Sequence, residues 1–282
     1  LPIFTRWMGL GPADRIFTAQ PFFWTAGIAM SLVATLEAGA CLILQDAFEP
    51  EGALDLIERD VDVPMRDGAR LKADVFRPDD GGKFPALLNL GPYQKDKLWT
   101  VPPNLEEKQN EYMNWETVNP EWWVPRGYAS VRVDGRGSGK SPGQCEPWSY
   151  AEAVDFYDAI EWAAAQPWCN GKVGLTGISY YAINQWFVAN LNPPSLKAIM
   201  PWEGFNDWYR EHAFHGGIPD FGFFHEIWSR RMNAQTGFIA RDAEPEKILD
   251  LQKEHPLHDP FWEEKRVKLE KIDEAGPKGL RT

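Results

Sequence analysis

The sequence predicts an α/β protein with a mainly parallel sheet that is covered by helices on both faces. Short apolar runs bounded by Gly and Pro, which are typical of buried strands, alternate with stretches of about ten to fifteen residues whose apolar positions have helical spacing. The composition suits a large core, because 44% of the 282 residues are hydrophobic and 25% are charged. This balance excludes disordered, fibrous and collagen-like chains.

The N-terminal region is predicted to form a small α/β unit. We expect a helix over 26–36, a short buried strand over 40–45, and a second helix over 50–59 with acidic residues near its start. The uncharged stretch 20–36 resembles a membrane span in composition. It is nevertheless short for a span at about 17 residues, and it lacks basic flanks. We therefore interpret it as a buried helix.

The pattern from residue 60 onward predicts a larger sheet. Strands are expected over 70–77, 84–90, 128–133, 172–176 and 196–201, and helices over 151–165 and 181–190. Beyond Trp202 the chain is aromatic and helical, and no further strand is predicted. We divide the chain into a first segment over 1–59, a sheet domain over 60–204 and a partial helical cap over 205–282.

The charge and cysteine content narrow the function classes. A net charge of -12 repels phosphate backbones and anionic lipids, which disfavours nucleic-acid and membrane partners. The three cysteines have no CxxC spacing, so neither a disulfide framework nor a zinc site is indicated. We expect no signal peptide, no metal and no cofactor, and a cytoplasmic location.

The first segment contains sequence motifs that are similar to those of a ligase family. The stretches PFFWTAG and LVATLEAGACLILQDAFEPEGALDLIER make residues 9–59 resemble the middle of the AMP-forming acyl-CoA synthetases. Trp24 stands where that family usually has His, and the Ser/Thr/Gly-rich nucleotide loop of the family is absent. The resemblance therefore does not imply that this segment alone activates a carboxylate.

The most informative stretch is KVGLTGISYYA, residues 172–182. A buried strand is predicted to run into Gly177 and Ser179 and then directly into a helix, which is the context of a nucleophile elbow. Ser179 is then pushed out at the carboxyl end of the sheet, and the next backbone N–H points from a helix start toward developing negative charge. The usual pattern has a second Gly where this chain has Tyr181.

Several further motifs follow one another in a recognisable order. They are VPMRDGARLKADVFRP, PY, RGYASVRVDGRGSGKSPG, AIEWAAAQPWCNGKVG and LKAIMPWEG. Together with an elbow of Gly177, Ser179, Tyr180 and the small residue Ala182, they make residues 60–272 resemble the cocaine esterase and Xaa-Pro dipeptidyl-peptidase-like branch of the α/β-hydrolases.

The resemblance implies a serine hydrolase that cleaves small ester or amide substrates through an acyl-enzyme. Ser179 would be the acylated nucleophile, and the backbone N–H of Tyr180 would be one oxyanion donor. Tyr93 would supply the second donor from its phenol. The alternative for Tyr93 is an aromatic residue at the end of a strand that packs under a loop.

The Gly-rich stretch DGRGSGKSPG, residues 134–143, invites a nucleotide-binding interpretation. It does not match a P-loop, because its GKS follows Gly137 too closely and no helix is predicted to start directly after it. We predict an ordinary loop after a strand, which is also what the family resemblance implies.

The acid and base of a catalytic triad have no clear candidates. In α/β-hydrolases the order is Ser, then Asp or Glu, then His, with the last two on loops after late strands. The five histidines, which we interpret as surface or cap residues, are His212, His215, His225, His255 and His258. Residues 261–272 resemble the cap helix that leads into the acid-bearing strand, but a polar stretch follows them. We therefore expect a C-terminally incomplete sheet whose last strands, acid and histidine lie past Thr282.

Two other functions stay open at this point. Without its base the chain could be an inactive remnant or a binding module, and the first segment leaves room for a fragment of an AMP-forming acyl-CoA ligase. The residues do not indicate which ester or amide is cleaved or how many copies assemble.

Overall fold

The computed structural model describes residues 15–18, 41–44, 56–98, 101, 103–104, 110–222, 246–269 and 272. The chain forms two compact units, Leu1–Pro50 and Glu51–Thr282. In the first unit, β1 (Arg15–Thr18) pairs in parallel with β2 (Cys41–Leu44). The strand predicted over 40–45 is thus confirmed, and the helix predicted over 26–36 lies outside the described residues.

The second unit contains a six-stranded mixed sheet. Its strands are β3 (Leu56–Pro64), β4 (Arg70–Arg77), β5 (Phe84–Gly91), β6 (Ala129–Asp134), β7 (Cys169–Ile178) and β8 (Leu196–Trp202). They lie in the order β3-β4-β6-β5-β7-β8. The pairs β6-β5, β5-β7 and β7-β8 are parallel, and β3-β4 and β4-β6 are antiparallel. The predicted mainly parallel sheet and all five of its predicted strands are confirmed.

Strand β3 corrects the helix that was predicted over 50–59. From Leu56 onward the chain is extended and pairs antiparallel with β4, with a register shift between Glu58 and Val61. The bulge there holds Asp60 at a φ of 56°, which breaks the alternation of apolar and polar residues by which a strand is recognised. The domain boundary predicted at residue 59 falls within this strand, whereas the boundary predicted at residue 204 stays a prediction.

The helices of the described chain are mostly short. They are α1 (Pro120–Trp123), α2 (Tyr150–Ala165), α3 (Tyr180–Ala189), α4 (Glu246–Glu254) and α5 (Pro260–Glu264). The buried positions of α2 include Phe156, Ala159, Ile160 and Ala163, whose spacing forms one face of a helix. Both α2 and α3 pack against β7. None of the described helices combines the length and the apolar character needed to cross a bilayer.

Two expectations for the region beyond Trp202 were wrong. A small hairpin of β9 (Phe214–His215) and β10 (Ile218–Pro219) is present. Its turn glycines have φ values of 62° and 84°, so the Gly-Gly pair was the missed signal. The helix expected over 261–272 is interrupted: α5 ends at Glu264 and Arg266 bridges to Asp207, whereas Leu269 and Ile272 are again helical.

An ion-pair cluster around the buried Lys95 joins four segments of the second unit. The Lys95 ammonium lies 2.5 Å from a carboxylate oxygen of Asp60 in the β3 bulge, 2.9 Å from Asp74 in β4 and 2.9 Å from Asp96. The Lys140 ammonium approaches Asp60 at 2.6 Å and Asp96 at 2.8 Å. Lys95 and Asp74 are each only 1% exposed at their side chains.

The charges of this cluster hold one another in the ionised form. Hydrogen bonds from Lys140 and Lys95 lower the pKa of Asp60 to about 2. Burial opposes the charge of Lys95, but its three carboxylate partners outweigh burial and raise the pKa of the ammonium. A buried charge whose partner is removed is strongly destabilising. The cluster therefore depends on Lys95.

We predict that Lys95→Met lowers the free energy of unfolding by about 3 kcal/mol, because the buried Asp74 carboxylate keeps Arg59 at 2.9 Å but loses the buried ammonium on its other oxygen. Urea unfolding followed by circular dichroism measures this difference. The matched control is Lys72→Met, which removes a half-exposed ammonium 2.5 Å from Asp62 and is expected to cost at most about 1 kcal/mol. An equal decrease in the free energy of unfolding in the two variants would show that the buried cluster stabilises the fold no more than a surface ion pair does.

Candidate active site

The carboxyl ends of four neighbouring strands meet at one edge of the sheet. β5 and β6 end side by side at Gly91 and Asp134, and β7 and β8 end side by side at Ile178 and Trp202. Open parallel sheets bind ligands in the crevice outside these ends. Ser179 directly follows β7, and Tyr93 lies two residues past β5, the parallel neighbour of β7. The sheet thus brings the predicted nucleophile and the predicted phenol to the same edge.

Ser179 has a strained backbone. Its φ is 56° and its ψ is -114°, a conformation that costs a residue other than glycine about 1–3 kcal/mol and persists only when its surroundings enforce it. The Ser179 N–H donates to the Trp202 carbonyl at 3.0 Å, and the Ser179 carbonyl accepts from the N–H groups of Ala182 and Ile183, each at 2.9 Å. The strand–turn–helix geometry of a nucleophile elbow is therefore present.

Two glycines explain how the elbow accommodates Tyr181. A Cβ atom on Gly177 would lie 2.5 Å from the Tyr181 Cβ, and a Cβ atom on Gly91 would lie 2.6 Å from the Tyr181 ring. Both distances are shorter than real Cβ contacts allow. Tyr181 stands where the usual motif has its second glycine. Its ring fits there because Gly91, at the end of β5, has no side chain.

Tyr180 and Tyr93 are in ring contact beside the elbow. The Tyr93 ring meets those of Tyr180 and Tyr181 edge to face, with centroid distances of 5.8 and 5.5 Å. Tyr180 is the first residue of α3, and its ring lies 4.9 Å from that of Trp148. Tyr93 is 8% exposed, so it also satisfies the alternative of a packed aromatic. The roles of Ser179, Tyr180 and Tyr93 stay predictions.

Glu152 is a residue at this edge that the sequence did not indicate. The Tyr180 hydroxyl donates to its Oε1 at 2.5 Å, and the Trp148 N–H donates to its Oε2 at 2.8 Å. Burial raises the pKa of Glu152 to about 7, against the lowering effect of these hydrogen bonds. The only sequence signal was the Ser149-x-x-Glu152 spacing of a capping box, which predicts a helix start and no contact with the elbow.

The Gly-rich loop after β6 binds a carboxylate of its own chain. The Asp134 carboxylate accepts the backbone N–H of Lys95 at 2.7 Å and that of Lys140 at 2.9 Å. Burial raises the pKa of Asp134 to about 6. A Cβ atom on Gly139 would overlap this carboxylate. The amides that a phosphate would need are thus used by Asp134, which favours the predicted ordinary loop.

One group of carboxylates could in principle hold a cation. Oxygens of Asp60, Asp74 and Asp96 lie within 4.8 Å of one another. The Lys95 ammonium contacts all three carboxylates. The positive charge that such a group requires is therefore already supplied by the chain.

The described histidines make contacts with other parts of the second unit. His212 packs against the rings of Trp148 and Phe205, and burial lowers its pKa to about 4. The ring nitrogen Nε2 of His215 lies 2.7 Å from the Glu211 carbonyl oxygen. His255 pairs with Asp259 at 2.6 Å, and His258 lies 3.7 Å from Glu263. His225 lies outside the described residues. The interpretation of these five as surface or cap histidines stays a prediction.

Comparison with known sequences covers most of the second unit. The model of the X-Pro dipeptidyl-peptidase (S15) family matches residues 67–277. The cocaine esterase of Rhodococcus sp. (strain MB1 Bresler) is 38% identical over 199 residues, which are 69% of this chain and 32% of that esterase. The Xaa-Pro dipeptidyl-peptidase of Streptococcus pneumoniae (strain Hungary19A-6) is 25% identical over 265 residues, covering 71% of this chain and 35% of that protein. The chain thus spans about a third of the length of these relatives. The resemblance of residues 9–59 to acyl-CoA synthetases stays a prediction.

Solved structures of hydrolases are also similar to this chain. A CocE/NonD family hydrolase from Staphylococcus aureus superposes with a TM-score of 0.68 and 45% identity, covering 77% of this chain and 39% of that one. An α-amino acid ester hydrolase, at 22% identity and a TM-score of 0.60, covers 82% of this chain and 43% of its own and shows the fold alone. The fold is of the α/β-hydrolase type, and the chain belongs to the X-Pro dipeptidyl-peptidase (S15) family of serine esterases and peptidases.

Proposed function

We propose that this chain carries the nucleophile and the oxyanion donors of a serine hydrolase that cleaves small esters or amides through an acyl-enzyme. Ser179 is the nucleophile in this proposal, and the oxyanion donors are the backbone N–H of Tyr180 and the phenol of Tyr93. The observation that carries the proposal is the enforced backbone of Ser179, with a φ of 56° between β7 and α3. Strain of this kind collects at active sites, where a turn must present a side chain.

The arrangement supports both halves of acyl transfer. The Ser179 oxygen attacks the substrate carbonyl carbon, the C=O electron pair moves onto oxygen, and the hydroxyl proton passes to a general base. Collapse of this intermediate breaks the bond to the alcohol or amine, which takes the proton from the base. Water then attacks the acyl carbon and gives a proton to the base, and the bond to the Ser179 oxygen breaks as that oxygen regains a proton and the acid is released. We assign none of the described histidines to the base.

The oxyanion would meet donors that are already in place. Tyr180 begins α3 directly after Ser179, so its N–H lies at the start of the helix. Such an N–H at a helix start favours negative charge. The Tyr93 ring is held against Tyr180 and Tyr181, so its phenol would need little reorganisation during the reaction.

We predict that Ser179→Ala lowers kcat for a chromogenic acyl ester by about 10⁶-fold in the native gene product that carries this sequence, because the acyl-enzyme can no longer form. A fluorophosphonate probe is expected to label Ser179 in the unmodified protein, as identified by peptide mass spectrometry. Ser195→Ala is the matched control, because its hydroxyl hydrogen-bonds Glu161 and lies before β8. Unchanged hydrolysis by Ser179→Ala would refute the assignment, and an unlabelled Ser179 would favour the inactive remnant.

We also predict that Tyr93→Phe lowers kcat/KM by about 10²- to 10³-fold, the usual cost of one lost oxyanion donor. The ring and its contacts with Tyr180 and Tyr181 remain in this variant, so stability is expected to stay close to that of the unmodified protein. Steady-state kinetics and thermal unfolding measure the two effects. Tyr128→Phe, whose ring packs on Trp123 at 5.1 Å, serves as the control. Equal kinetics in both variants would leave Tyr93 as a packed aromatic.

A further inference from the structure

The side chain of Tyr180 is fixed at both its ring and its hydroxyl. Its ring lies 4.9 Å from the Trp148 ring at a tilt of 32°, and its hydroxyl donates to Glu152 at 2.5 Å. The residue is 1% exposed. A side chain with this many constraints also restricts the backbone that carries it, and this backbone begins the helix after Ser179.

We propose that Glu152 is a positioning residue, which holds the Tyr180 hydroxyl and thereby keeps the Tyr180 N–H aimed at the oxyanion of the reaction. The inference rests on the proposed function and adds a residue from α2 to it. Hydrogen bonds to a charged acceptor are about twice as strong as neutral ones, so a carboxylate is well suited to this task.

The strained elbow is the reason that such an anchor is needed. The ψ angle of Ser179, -114°, sets the plane of the peptide bond that contains the Tyr180 N–H. Relief of the strain by rotation about this angle would turn that N–H away from its position. Rotation of the peptide would also shift Tyr180, and the bond to Glu152 opposes this shift. A displacement of about 1 Å at a reacting site can cost about 10²-fold in rate.

Glu152 has a second task that can be separated from the first. Its Oε2 accepts the Trp148 N–H beside the start of α2, and its own N–H donates to the Ser149 hydroxyl, the N-cap of that helix. These bonds support α2 and do not involve Tyr180. Because the two tasks use different oxygens, Tyr180→Phe removes the anchor and leaves the helix start intact.

The charge state of the anchor depends on its surroundings. The pKa of Glu152 is raised to about 7, chiefly by burial. Asp155 on the same helix acts in the same direction, and Lys265 from the segment after α5 acts against it. From the loop before α2, Cys145 and Glu146 line the same cleft as Glu152.

The remaining charged neighbours line the same cleft as Glu152. This cleft has a volume of about 420 Å³, and its charged lining residues besides Glu152, Glu146 and Asp155 are Arg66, Asp67 and Arg136. Arg136 donates to both oxygens of Asp155 at 2.8 Å and lies 2.9 Å from Asp67. Arg66 pairs with Asp158 at 2.6 Å. These cations thus have carboxylate partners other than Glu152.

The pH dependence of the anchor follows from the raised pKa. Above about pH 7 Glu152 is ionised and accepts a charge-assisted hydrogen bond, whereas below about pH 7 it is protonated and the bond weakens. The part of kcat that depends on Glu152 is therefore expected to rise with pH through about 7. This contribution is measured by dividing kcat of the unmodified protein by kcat of Glu152→Gln at each pH.

The test compares kcat and KM for the chromogenic ester in Glu152→Gln, Tyr180→Phe and the double variant of the native gene product. We expect each single variant to lower kcat by about 10-fold at about pH 8.5, with KM unchanged, because only transition-state stabilisation is lost. The double variant is expected to be no slower than either single variant, because both changes break one interaction. The kcat of the unmodified protein divided by the kcat of Glu152→Gln is expected to fall toward about one near pH 5.5, because Glu152 is then protonated.

Glu161→Gln is the matched control. This glutamate lies on the same helix and likewise accepts a backbone N–H and a hydroxyl, both from Ser195 and both at 2.9 Å. We expect its kcat to stay within about twofold of the unmodified protein. Thermal unfolding of every variant separates lost activity from lost fold, and Tyr180→Phe keeps the helix start if Glu152→Gln unfolds.

The outcomes distinguish this inference from the proposed function. If hydrolysis requires Ser179 but kcat is equal in Glu152→Gln and Glu161→Gln, the positioning role of Glu152 is refuted and the proposed function stands. Losses that multiply in the double variant would also refute this positioning role, because Glu152 would then act through the start of α2. If the unmodified protein shows no hydrolysis, or if Ser179→Ala retains it, the proposed function fails and the inference fails with it.

Discussion

The backbone of Ser179 is the constraint on which the rest of the site depends. A serine at a φ of 56° returns to an ordinary conformation unless its neighbours prevent this. Here β8 supplies the Trp202 carbonyl that accepts the Ser179 N–H, and the first turn of α3 supplies two N–H groups to its carbonyl. The parallel pairing of β7 with β8 therefore holds the turn at Ser179 as well as the sheet.

The same constraint explains the glycines at the end of β5 and next to the end of β7. The turn brings Tyr181 against Gly177 and Gly91, which have no room for a side chain. Gly91 in turn accepts the Gly135 N–H at 2.9 Å, so the loop after β6 also lies close to this edge. The large residue in the elbow is thus matched by a glycine on β5 and by a glycine on β7.

Much of this fold could be predicted because its strands and helices have regular local patterns. β4 was predicted to the residue, and the elbow followed from one strand–turn–helix pattern with a serine at the turn. β3 was missed because its bulge at Asp60 interrupts the alternation. The hairpin after Trp202 was missed because strands of two residues are too short to show a period.

Contacts between distant segments could not be predicted from local sequence patterns. Glu152 and Tyr180 are separated by 28 positions, and Lys95 meets Asp60 from 35 positions away. Nothing in the local sequence marks such pairs, since a glutamate three residues after a serine indicates only a helix start. The proposed role of Tyr93 was accessible only through the family resemblance, whereas that of the Tyr180 N–H also followed from the strand–turn–helix pattern. The base was not accessible at all.

The charges around the site favour a neutral substrate carbonyl over a phosphate. Asp134, the first residue of the Gly-rich loop, accepts the backbone N–H groups of Lys95 and Lys140. The ammonium groups of these two lysines pair with Asp96 and Asp60, respectively. A phosphate would have to displace these internal carboxylates in a chain whose net charge is already -12. An ester or amide carbonyl makes no such demand, because it becomes negative only in the transition state. The internal ion pairs therefore favour acyl transfer at the edge where Ser179 lies.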